Sequence, residues 1–91
     1  MKNESTKKYI NLAEGIVEKA VTSTTQTYVD TLKKNNQFDA NAQIQAFDMA
    51  KEKAIGLLSQ EIKGVLAEVY GDVDSWLDMQ IEQQVRKLKV A

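Results

Sequence analysis

The sequence predicts an all-α protein, a long antiparallel helical hairpin plus a shorter third helix, completed by oligomerisation. Three observations carry that prediction. No proline occurs in 91 residues and glycine occurs four times, so the residues that most often interrupt helices are nearly absent. Apolar residues recur at steps of three and four, which return to one side of a helix, and not at alternate positions as on a half-buried strand. Turn signals fall at Asn35-Asn36 and at Gly71-Asp72, dividing a single domain, 1–91, into three helical stretches.

The first helix is expected over about residues 5–34, where Tyr9, Ile10, Leu12, Ala13, Ile16, Val17, Ala20, Val21, Tyr28 and Leu32 share a face. Lys33 and Lys34 place positive charge at its C-terminus, and Asn35-Asn36 tolerates the left-handed backbone of a helix end. Phe38-Asp39 then reads as an apolar anchor and N-cap for a second helix over about 40–70, with Ile44, Phe47, Ala50, Ala54, Leu58, Ile62, Val65 and Val69 on its apolar side. Gly71 suits a helix C-terminus and Asp72 caps a third helix over about 73–89. Val73, Trp76, Leu77, Ile81, Val85 and Leu88 form its apolar side.

Lengths then set the architecture. Two helices of about 30 residues span roughly 45 Å each, and a third of about 17 residues spans roughly 25 Å, so it covers about half of the hairpin's seam. The uncovered half predicts a homo-oligomer, since large contiguous apolar surface is uncommon on monomers. The candidate interface comprises Phe47, Leu58, Ile62, Trp76, Leu77, Ile81 and Val85. A second helix kinked at Gly56 or Gly64 and folded back as a compact monomeric bundle is the competing arrangement.

Composition excludes several classes. The chain has no cysteine or histidine, which removes disulfides, thiolate metal sites and imidazole chemistry. Net charge is −1, with 12 basic and 13 acidic residues, and lacks the positive field that drives binding to nucleic acid. The longest apolar run, Ala54 to Leu58, contains a glycine and falls far short of the roughly 20 residues that cross a bilayer. No signal peptide is visible, so the expected location is cytoplasmic.

Two local patterns invite a chemical reading. Thr22-Ser23-Thr24-Thr25-Gln26-Thr27 puts five hydroxyls inside a helix; the expectation is that Thr24 faces the core through its methyl while the others bond carbonyls one turn back or meet water. Asp74, Asp78 and Glu82 recur every four residues and are read as a solvated acidic face, because one helix presents too few oxygens convergently for a hard cation. The basic groups at the two ends, Lys2, Lys7 and Lys8, and Arg86, Lys87 and Lys89, leave only a weak, salt-sensitive contact with anionic lipid as a membrane reading. With no nucleophile–base pair and no phosphate-cradling glycine loop, no catalytic, cofactor or metal residue is assigned and the chain is read as non-enzymatic.

The pattern Ala20-Val21, Gln26-Thr27-Tyr28-Val29-Asp30, Leu32-Lys33, Phe38-Asp39, Ala46-Phe47, Ala50-Lys51, Ile81-Glu82, Val85 and Lys87-Leu88 resembles the soluble helical region of LLH-type phage holins and small prophage-encoded proteins of Gram-positive bacteria. Members of that family carry an N-terminal membrane helix ahead of a cytoplasmic helical region. No such helix is visible here, so the resemblance implies the soluble part alone and no pore.

The function expected is therefore a helical self-assembly protein of phage or prophage origin, linked to a lysis module and meeting copies of itself or another phage protein. The runner-up is a small phage-associated regulator binding nucleic acid or a protein partner. Asp72, Asp74 and Asp78 at the start of the third helix would repel phosphate there.

Overall fold

The computed structural model describes the backbone of residues 2–90 and the side chains of residues 4–87. The chain is all-α, with no strand among the described residues. Helix α1 (Lys2–Thr24) runs through a π-helical turn (Thr25–Val29) into α2 (Asp30–Lys34), forming the first arm of the hairpin. Helices α3 (Ala40–Leu57) and α4 (Gln60–Tyr70) form the second arm, and α5 (Val73–Val90) packs against α1, α3 and α4. The principal extents are 50 × 22 × 17 Å.

The turns follow their local chemistry. Asn36 takes a φ of 54°, the left-handed conformation asparagine tolerates better than most residues. Asp39 caps α3 by accepting the Ala42 amide at 2.8 Å. Gly71 ends α4 at a φ of 84° with no Cβ to penalise it. Asp72 opens α5, its carboxylate accepting from the Asp74 amide at 3.1 Å and from the Ser75 hydroxyl at 2.8 Å.

The second arm is not the continuous helix expected over 40–70. Leu58 leaves helical geometry with a ψ of 127°, and Ser59, at ψ 163°, caps α4 by accepting the Ile62 amide at 3.1 Å. The break falls two residues after Gly56, one of the two glycines expected to mark it; Gly56 itself stays in the last turn of α3 and Gly64 inside α4. Leu58 and Ile62 are nonetheless both buried, four residues apart, so the apolar rhythm runs on across a broken backbone. Ser59→Ala is expected to cost about 1 kcal/mol, the usual value of an N-cap, read as a lower urea midpoint. No loss would mean the cap does not hold the break.

The π-turn is the second departure. Buried positions on α1 fall at Ala13, Val17, Ala20, Val21 and Thr24, and the next is Val29, a step of five where an α-helix would use Tyr28. One residue of extra register carries Val29 into the interior. Tyr28 sits at the edge, its hydroxyl donating to Gln45 Oε1 at 2.9 Å. Thr24 is buried, as expected, but its hydroxyl also donates to the Ala20 carbonyl at 2.9 Å; Thr27 donates to that of Ser23 at 2.8 Å, the carbonyl bond one turn back expected of the flanking hydroxyls. Ser23 itself accepts from Lys53 Nζ at 3.1 Å, which ties α1 to α3.

The apolar face of α3 is rotated from the expected one. Ala42, Ala46, Ala50 and Ala54 are its buried residues, an alanine every fourth position along the side that packs on α1. Ile44 stands 62% exposed. The core proper gathers Ala13, Val17, Ala20 and Val21 of α1 with Ala50, Ala54, Leu58, Ile62, Leu66, Trp76, Leu77 and Ile81. After the break α4 packs on both α1 and α5, so the second arm stays against the first and the third helix.

Candidate functional site

Along the hairpin's seam lies a groove of about 620 Å³ between the end of the first arm, the start of α3 and the second half of α5. Its walls are apolar: Val21 and Val29 from the first arm, Ile44 and Phe47 from α3, Ile81 and Val85 from α5. The π-turn contributes directly, since Thr25 and Val29 both line the groove. Phe38, from the hairpin turn, closes one end beneath the Lys33 ammonium, which lies 5.5 Å from its ring centroid. Four charged residues also line it, Lys33 and Arg86 against Asp48 and Glu82. A shallower depression near Lys19, Glu52 and Leu57 adds little enclosure.

The expected interface residues divide into two groups. Leu58, Ile62, Trp76, Leu77 and Ile81 are buried within this chain's own core, so they hold the monomer together first. Phe47 and Val85 are only partly buried and line the groove. Ile44 and Phe38 join them there. Trp76 stacks obliquely on Tyr70, with ring centroids 6.0 Å apart, and its indole nitrogen meets no acceptor among the described residues. The side chain of Leu88, placed on the apolar side of the third helix by its spacing, lies outside the described residues, as do those of Lys2 and Lys89.

The acidic row on α5 is divided in its surroundings. Asp74 is exposed, Glu82 is an exposed wall of the groove, and Asp78 forms an ion pair with Lys51 of α3 at 3.0 Å. Among the described residues no three carboxylates gather in a geometry able to hold a metal ion. Donating to the Asp78 carboxylate is the main reason the Lys51 ammonium holds its proton more tightly than an ordinary lysine; partial burial opposes this, and the fields of Asp78, Asp74 and Asp48 add to it. The pair thus stabilises the fold below the ordinary lysine value of 10.5 and is lost as pH rises through the raised one. Asp78 is half exposed, so the effect is expected to stay below about 1 kcal/mol. The stability gap between Asp78→Asn and the parent chain should therefore narrow as pH rises through the raised Lys51 value, above 10.5; a gap constant with pH would exclude the pair as its source.

Tyr9 offers a check on reactivity. Its hydroxyl donates to Glu61 Oε2 at 3.1 Å, and that hydrogen bond, with the carboxylate's charge, raises the phenol above its usual range. The arrangement holds Tyr9 protonated, the opposite of what a phenolate nucleophile requires. The groove thus combines largely hydrocarbon walls with charges of both signs. No protein-family model, curated protein or solved structure matches the chain.

Proposed function

We propose that this chain is a non-enzymatic helical interaction protein that self-associates, using the groove beside the hairpin turn as its contact surface. The observation that carries the reading is the exposure of Ile44 beside partly buried Phe47 and Val85, on a stretch of seam that the chain does not cover itself. Static light scattering across a concentration series tests it. The expected result is a mass that rises from one chain toward a small multiple, and a constant mass of 10.2 kDa would defeat it.

The proposal extends to origin: a phage or prophage protein acting in or beside a lysis module. Its support is the resemblance of residues 9–89 to the soluble region of LLH-type holins. Pore formation is no part of it, because no helix among the described residues is long and apolar enough to cross a membrane. An endolysin gene beside the coding sequence would favour this origin, whereas a cluster of tail-assembly genes would redirect it. Binding to nucleic acid gains no support from the groove, where carboxylates accompany the cations in equal number.

A further inference from the structure

We infer that the groove is one half of a two-fold interface. Ile44 of each copy enters the groove of the other, and Lys33 and Arg86 of each copy face Asp48 and Glu82 of the other. This rests on the self-association reading and adds to it the geometry and the pairing.

Charge is the first argument. Four charged residues, two of each sign, line a largely apolar groove that also carries Thr24, Thr25 and Gln43, and the only ion pair among the described residues is Lys51–Asp78. None of the four therefore makes a direct ion pair among the described residues. A two-fold axis lays a surface patch on a rotated copy of itself, so a patch of one sign repels itself and only a patch holding both signs away from the axis can be self-complementary. A strongly acidic or strongly basic partner would meet like charge along half of this rim. A second copy meets opposite charge along all of it.

Shape is the second argument. Ile44 is 62% exposed and lines the groove itself, so it serves as a projecting knob beside its own receptacle. Phe47 and Val85 supply apolar wall on either side, from α3 and α5. The residue that sequence spacing places on the apolar side of its helix thus has an apolar destination in a second copy. Its replacement leaves the monomer's core untouched.

Equilibrium sedimentation of the full chain and of three variants tests the assignment, with circular dichroism to confirm that each stays helical. The parent chain should dimerise, more weakly at high salt because exposed charge pairs are screened. Ile44→Glu should weaken the dimer by at least about tenfold without loss of helicity. The double variants Lys33→Glu/Arg86→Glu and Asp48→Lys/Glu82→Lys should each be monomeric alone, yet form a one-to-one dimer when mixed. A parent dimer that Ile44→Glu and both double variants leave intact would overturn this interface while leaving self-association standing. Monomeric double variants that fail to pair on mixing would overturn the charge assignment. A parent chain that stays monomeric throughout would overturn both readings.

Discussion

Replacing Leu66 by alanine is expected to cost about 2–5 kcal/mol, the range for truncating a fully buried leucine whose surroundings relax only partly. Leu66 has no exposed surface and lies in the core cluster with Leu77, Ile81 and Val17. It belongs to α4, a helix of 11 residues, too short to persist by its own propensity and dependent on packing. Losing its anchor weakens both the contact of α4 with α1 and the start of α5 that it supports. Domains of this size have about 5–15 kcal/mol in total, and each kcal/mol moves the midpoint by about 4–8 °C, so a fall of roughly 8–40 °C follows. Thermal and urea unfolding should be read at low protein concentration, where association does not add to stability. Leu57→Ala, at a position 59% exposed, is the control and should stay within about 0.5 kcal/mol. Equal losses at the two positions would mean that α4 is not docked.

The contrast between Leu57 and Leu66 also shows what was legible in the residues alone. All-α architecture, the hairpin turn at Asn35-Asn36, the Asp39 cap and the Gly71-Asp72 turn each had a local chemical signature, and the fold has all of them. The break at Leu58-Ser59 lacked one in the apolar rhythm, because Leu58 and Ile62 keep a four-residue step and both reach the core. Its trace was a serine three residues before an amide that needs an acceptor, a signal easily lost in a long periodic stretch. The π-turn left a similar trace in the five-residue step from Thr24 to Val29, within a run of hydroxyl residues of modest helix propensity.

The contact surface was legible only in part, for a related reason. Apolar spacing marks residues that avoid water but does not say whether their own chain or another provides the shelter. Trp76, Leu77 and Ile81 are sheltered by their own chain, where α5 packs on α1, α3 and α4. Spacing places Ile44 on the apolar side of its helix because isoleucine outranks alanine in hydrophobicity, yet it is Ala42 and Ala46 that are buried. Close approach of two helices favours small side chains, a steric demand that hydropathy does not register.

That steric demand yields the last prediction. Ala54 has no exposed surface and belongs to the alanine row Ala42, Ala46, Ala50 and Ala54 on which α3 packs against α1. Ala54→Leu adds three carbons where the interior is already close-packed, so the added side chain must distort its rotamer or push the helices apart. The expected cost is about 1–3 kcal/mol although the substitution makes the chain more hydrophobic. The same change at Ala67, on the exposed side of α4, should be nearly neutral, because alanine and leucine are both good helix formers. Hydrophobicity alone predicts that Ala54→Leu stabilises, since burying the added methylenes is favourable at about 0.8 kcal/mol each. The two accounts therefore differ in sign, and urea unfolding decides between them. A higher midpoint for Ala54→Leu would show room between α1 and α3 and overturn close packing through the alanine row; a lower one would establish that the row sets the separation of the two arms, and with it the width of the groove at their end.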